Sequence, residues 1–182
     1  MNSIMIDLET MGDRSRSVIC SIAAVPFDLS TGKTGVEFFG VIDIQSCLDA
    51  GLEVTAGTIR WWMAQEPLSR QHLNNCPPYE LSAILKAFER YLKGFGERVE
   101  LWGNGARFDL GILADAYHAC GLPVPWSHKA ERDVRTLVSL RPQVKAETEF
   151  VGIRHFPVDD CIHQIRYCCK IWHSLNQEEY VG

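Results

Sequence analysis

Two acidic residues, Asp7 and Glu9, lie two positions apart at the end of the short β-prone run Ile4-Met5-Ile6-Asp7-Leu8. On a strand, residues two apart share a face, so both carboxylates project together. Like charges held side by side repel unless a cation sits between them, and a hard divalent ion with oxygen ligands is the natural resolution. For an isolated Asp-x-Glu pair, two carboxylates facing solvent beyond a strand end is the plainer reading. Asp109 follows Trp102-Gly103-Asn104-Gly105-Ala106-Arg107-Phe108 and begins a helix. Alone it reads as an N-terminal cap, yet the flanking glycines permit a close backbone approach that a cap does not need. His155-Phe156-Pro157-Val158-Asp159-Asp160 completes the set. Asp160 falls in the first turn of a final helix, aiming back at the sheet. His155 lies on the loop before it, free to face the same cleft, although taken singly it reads as a surface histidine. Imidazole titrates near neutral pH, so such a residue can take up a proton without an extreme environment.

The elements that must position these groups follow from pattern. Val18 to Phe27 is an apolar segment that starts with β-branched residues, and Val36 to Ile44 reads as a third strand. Turn chemistry around Gly32 between them predicts a hairpin. Thr58 to Gln65 reads as a helix with an N-cap at Thr55 or Thr58, ended or interrupted by Pro67. Tyr79 to Lys93 repeats apolar residues at Leu81, Ile84, Leu85, Phe88 and Leu92, the spacing of one buried helix face, and Gly94 and Gly96 stop it. A short strand Val99 to Trp102, a helix from Phe108 to Cys120, a helix or turn from Asp133 to Leu140 and a terminal helix from Asp159 to Leu175 follow. Strands in succession and then helices alternating with a strand predict an α/β fold, a mixed β-sheet flanked by α-helices. The ribonuclease H-like architecture is one of several that satisfy the pattern.

At 182 residues the chain suits one domain spanning 1–182, and two would be cramped. Its first ten residues carry Asp7 and Glu9 within the only apolar stretch and have no basic start, so they predict neither a signal peptide nor a membrane span. Seven cysteines at irregular spacing, with no CxxC pair, favour buried reduced thiols over disulfides or zinc. Both observations predict a cytoplasmic protein. The formal net charge of −5 includes the carboxylates of Asp7, Glu9, Asp109 and Asp160, and setting these aside leaves the remainder nearly neutral. Bound divalent cations invert the local charge. The balance therefore permits a nucleic-acid partner while arguing against broad coating of duplex DNA.

Taken together, the three motifs resemble those of the DEDDh 3′→5′ exonucleases of the ribonuclease H-like superfamily. Within them they resemble most the exonuclease VIII-like and phage exodeoxyribonuclease A-like group. Asp7-Leu8-Glu9-Thr10-Met11-Gly12 matches the first motif, Trp102-Gly103-Asn104-Gly105 with Phe108-Asp109 the second, and His155 to Asp160 the third. Pro157 stands where many members have Ala, and Gly105 where many have Asn. The resemblance implies hydrolysis at the 3′ end of DNA or RNA to nucleoside 5′-monophosphates, with two Mg²⁺ (or Mn²⁺) ions clamping the scissile phosphate. It implies that Asp7 bridges both ions, that Glu9 and Asp160 complete one site, and that Asp109 holds the second ion directly or through water. His155 is implied as general base. Expected contacts to the terminal nucleotide are Thr10, Met11, Trp62, Asn104 and Phe108. Either tryptophan of the pair Trp61-Trp62 has the type to be a stacking platform. The core is the plainer reading for Trp61, while for Trp62 core and platform stand level, since neighbours on a helix diverge by about 100°. Arg107 and Arg135 have the type to meet phosphate, although surface arginines are as often simply solvated. A non-catalytic ribonuclease H-like nucleic-acid-binding module and an endonuclease of the same superfamily are the competing readings. The apolar fraction and five tryptophans leave room for a homo-oligomer interface.

Overall fold

A computed structural model describes residues 1–96, 98–105 and 107–178; Ala106 of the second motif and residues 179–182 lie outside the described residues. Strand β1 (Ser3–Thr10) is the centre of a five-stranded sheet. It pairs antiparallel with β2 (Ile19–Phe27), which pairs antiparallel with β3 (Phe38–Val41). On its other side β1 runs parallel to β4 (Glu100–Gly103), and β4 parallel to β5 (Glu131–Asp133). The order β3-β2-β1-β4-β5 makes a mixed sheet with helices on both faces, the ribonuclease H-like architecture. The hairpin expected around Gly32 is present. Gly32 takes φ 70°, in the left-handed region that glycine enters without penalty, and its N–H donates to Asp28 O at 2.8 Å.

Between the strands run α1 (Ile44–Asp49), α2 (Ala56–Ala64), α3 (Pro67–Asn75), α4 (Leu81–Lys93), α5 (Asp109–Ala119), α6 (Val134–Ser139), α7 (Pro142–Glu147) and α8 (Pro157–Glu178). The third strand is shorter than its apolar pattern suggests, because the Asp43 carboxylate accepts from the Gln45 and Ser46 N–H groups and starts α1. Pro67 does not merely end α2. It opens α3, where its missing N–H and fixed φ are harmless. The sequence reading also passes over β5, whose Glu-Arg-Asp sequence carries no apolar alternation, and the short α7.

Alternation along β1 divides the core. Ile4, Ile6 and Leu8 face α4 and α5 with Leu85, Phe88, Leu113 and Tyr117. Met5 faces α8 with Ala23, Val25, Phe27, Cys161, Ile165 and Cys168. Burial of such side chains contributes about 1.5–3 kcal/mol each, which offsets the cost of carboxylates further along the same strand. By period two, Asp7 and Glu9 fall on the α8 face, where the apolar layer gives out. All seven cysteines are free thiols, five of them buried. Among the described residues no helix is long and apolar enough to cross a membrane.

Candidate active site

Three chain ends converge above the C-terminal half of β1. The strand supplies Asp7 and Glu9, the first turn of α5 supplies Asp109, and the loop into α8 with its first turn supplies His155 and Asp160. All five line one cleft of about 430 Å³. Ligand atoms of Glu9, His155 and Asp160 all lie within 4.8 Å of one another; Asp7 and Asp109 complete the wall.

Three of the four carboxylates, Asp7, Asp109 and Asp160, are held by specific donors. Asp109 Oδ1 accepts from Leu8 N at 3.2 Å and its Oδ2 from Asn104 N at 2.7 Å, so this side chain ties the end of β4 to β1. It is not the N-terminal cap its position suggested, since Phe108 takes that place, and a Cβ at Gly103 would stand 3.2 Å from Asp109 Cβ, so the glycine lets the strand end approach the helix. Asp160 Oδ2 accepts from His155 N at 2.7 Å. That bond holds His155 at φ 65°, a left-handed conformation unusual for a side chain of this size. Gly152, at φ 121°, closes the same loop. A Cβ there would meet the Asp159 carboxylate, which accepts from Ile153 N at 2.7 Å. Asp159 therefore builds the loop, while Asp160 faces the cleft.

Gln164 was not anticipated. Its Nε2 donates to Asp7 Oδ1 at 2.7 Å, and it lines the cleft one turn after Asp160. The spacing i, i+4 from an acidic residue in a helix was the available signal.

The electrostatics follow from crowding and burial. Burial raises Asp7 well above the ordinary carboxylate value, and the charges of Asp109 and Asp160 raise it further, against the Gln164 hydrogen bond. Burial likewise raises Glu9, with Asp7 the next cause. Asp109 is pushed up to about 6 by burial, in spite of the Asn104 and Leu8 amides. Asp160 is pushed up to about 6 by burial, against the His155 amide. Burial and then Arg154 hold the His155 imidazole below its ordinary value, hence neutral at pH 7.

The donor set suits hard divalent cations. It offers four carboxylates that resist ionising without a counter-charge, and two buried amide oxygens, Asn104 Oδ1 and Gln164 Oε1, with no partner among the described residues.

The expected substrate contacts divide. Thr10, Asn104 and Phe108 line the cleft with the carboxylates. The Thr10 hydroxyl donates to Gly12 O at 2.6 Å, leaving only its acceptor lone pairs free. Met11 and Trp62 instead line a separate apolar pocket of about 260 Å³ with Ile44, Ile59 and Met63. The preference between the tryptophans is reversed. Trp62 is 5 % exposed, its Nε1 donating to Thr10 O at 2.9 Å, because this side of α2 seats against the end of β1. Trp61 is 42 % exposed and lines the cleft with its ring centroid 4.8 Å from that of His155, edge to face.

A family model described as the 3′-5′ exoribonuclease Rv2179c-like domain matches residues 2–172. No curated protein matches the chain. Among solved structures, one described as a full-length 3′-exonuclease superposes with a TM-score of 0.66 at 12 % identity, covering 94 % of this chain and 81 % of the other. The nuclease domain of 3′hExo, described as a DEDDh family member bound to rAMP, superposes with a TM-score of 0.65 at 12 % identity, covering 94 % and 92 %. A third, described as 3′-end specific recognition of histone mRNA stem-loop by 3′-exonuclease, gives 0.62 at 12 % identity, covering 94 % and 81 %. At such identity the likeness concerns the fold.

Proposed function

The chain belongs to the 3′-5′ exoribonuclease Rv2179c-like domain family, and from that premise we propose that it removes nucleotides one at a time from the 3′ end of RNA, with residues 1–182 acting as one exonuclease domain. The observation that carries this reading is the single cleft in which Asp7, Glu9, Asp109, His155 and Asp160 meet.

Asp7, Glu9, Asp109 and Asp160 would hold divalent cations, two by the DEDDh resemblance, Mg²⁺ or Mn²⁺. Bound there, such cations neutralise and orient the scissile phosphate. Neutral His155, held by the Asp160–amide bond, accepts the proton of the attacking water as its oxygen bonds to phosphorus. The bond from phosphorus to the 3′-oxygen of the preceding nucleotide breaks, and that oxygen takes up a proton from solvent. A nucleoside 5′-monophosphate leaves, and the shortened strand keeps a 3′-hydroxyl. Gln164 fixes one oxygen of Asp7 and leaves the other free. Trp61 supplies the aromatic wall against which the terminal base stacks, an interaction worth about 1–3 kcal/mol.

The family description supports RNA, and two structural neighbours are described with rAMP or with histone mRNA stem-loop. The motif strings support kinship with the exonuclease VIII-like and phage exodeoxyribonuclease A-like group. Discrimination between sugars rests on a contact to the 2′-hydroxyl, for which Thr10 offers an acceptor.

The test is product analysis on 5′-labelled single-stranded RNA and DNA oligonucleotides with Mg²⁺ or Mn²⁺. Stepwise shortening of RNA from the 3′ end, absent in Asp7→Ala, is expected. Uncut strands under every condition would leave the binding module, and internal cuts an endonuclease.

A further inference from the structure

Next to the carboxylate cleft lies a second cavity, of about 680 Å³, and the two share Asp13, Phe108 and Arg135 in their walls. Three cations line it, Arg14, Arg107 and Arg135, together with three carboxylates. The carboxylates all have partners. Asp13 Oδ1 lies 3.8 Å from Arg14 Nε, Asp115 Oδ1 lies 3.9 Å from His118 Nδ1, and Glu131 Oε1 accepts from Trp126 Nε1 at 3.0 Å. Among the described residues, the guanidinium groups of Arg107 and Arg135 have neither a hydrogen bond nor an ion pair. Arg135 is nonetheless placed with care. Its Cζ stands 3.4 Å from where a Cβ of Gly105 would be, and Gly105 takes φ 144°, so the guanidinium lies over bare backbone that another residue would cover.

The shared wall gives a bound strand a path out of the carboxylate cleft. Thr58 and Trp61 line the carboxylate cleft but not the second cavity. Arg135, at the shared wall, is the one arginine or lysine among the described residues lining the cleft, and Arg107 lies in the second cavity. A polyanion whose last nucleotide rests against Trp61 and that leaves across the shared wall meets Arg135 and then Arg107. Phe108 in the shared wall adds an aromatic face at the crossing, the combination of charge and ring that single-strand tracks use.

We propose that the second cavity holds the nucleotides on the 5′ side of the scissile bond, with Arg107 and Arg135 on their phosphates. The proposal rests on the exonuclease reading for its orientation. It makes the enzyme sensitive to strand length beyond the terminal nucleotide.

The experiment measures binding of 5′-fluorescein RNA of two, four and eight nucleotides to the full chain carrying Asp7→Ala, so that cutting does not intervene. Competition by 5′-AMP reports the terminal site alone. With both arginines present, affinity should rise from two to four nucleotides. In Arg107→Ala and in Arg135→Ala that gain should shrink at least threefold, and the dependence of log Kd on log salt should fall by about 0.7 per arginine removed. Arg107→Lys, which keeps the charge, should retain the slope. An unaltered length gain and slope in both alanine variants overturns the proposal. Equal losses on 5′-AMP and on the octamer overturn it too, since the arginines would then serve the terminal nucleotide. Cleavage by the unmutated chain separates the two readings. Arginine-dependent length gain without any cleavage supports the track and sinks the exonuclease. Cleavage with no arginine dependence does the reverse.

Discussion

His155 combines a left-handed backbone, an amide bonded to Asp160 and an imidazole that burial keeps neutral. If it takes the proton from water, His155→Ala should lower kcat by about 10²- to 10⁴-fold while calorimetry still detects Mn²⁺ binding. The sign of the pH effect follows from the lowered value. The neutral, basic form accumulates as pH rises, so at saturating metal the acid limb of kcat should have its midpoint below 6.5 and vanish in His155→Ala. A limb that survives the substitution would assign the proton transfer elsewhere. Gln164 acts one step away. Without its donor, Asp7 loses the one hydrogen bond among the described residues that favours its charged form. Gln164→Ala should weaken Mn²⁺ binding about 10- to 100-fold, the usual consequence of removing a partner that orients a metal ligand. Titration by electron paramagnetic resonance reads that affinity directly.

At the level of elements, α2 places two adjacent tryptophans in different tasks. Trp62→Ala should cost about 3–5 kcal/mol in urea unfolding because a buried indole is removed. Trp61→Ala should leave stability within about 1 kcal/mol and raise KM for oligonucleotides instead, since its ring is exposed in the cleft. The same stability loss in both variants would mean that Trp61 is packing rather than binding. The loop before α8 is fixed by the Gly152–Asp159 approach. Gly152→Ala forces a Cβ onto that carboxylate at a φ that L-residues rarely adopt, so it should destabilise by about 1–3 kcal/mol and reduce kcat with it by displacing His155.

Over the whole molecule, the carboxylate cluster sets a pH-dependent stability. Asp109 and Asp160 are raised from an ordinary 3.8 to about 6, and Asp7 and Glu9 are raised as well. Between those values the folded chain binds more protons than the unfolded chain. Stability from these groups is therefore full below about pH 4 and lost as pH rises through about 6. In EDTA the melting temperature should fall over that window, and Mn²⁺ should restore it at pH 7 by supplying the missing counter-charge. Melting curves with and without metal check this, and a metal-free Tm that rises steadily from pH 4 to 7 would contradict it.

Much of the chemistry was legible in the chain itself. The period of two along β1 set Asp7 and Glu9 on one face, the apolar spacing from Leu81 to Leu92 identified α4, and the motif strings gathered Asp109, His155 and Asp160. These signals are local, because strand and helix periods act on a few neighbouring residues at a time. The sequence could not say which of Trp61 and Trp62 faced inward, since that depends on how α2 meets the end of β1, a contact between distant segments. Nor could it find β5, whose three polar residues become a strand only by pairing with β4. Gln164 and the unpaired Arg107 and Arg135 acquired meaning only when packing decided which polar groups found partners and which were left facing a cavity.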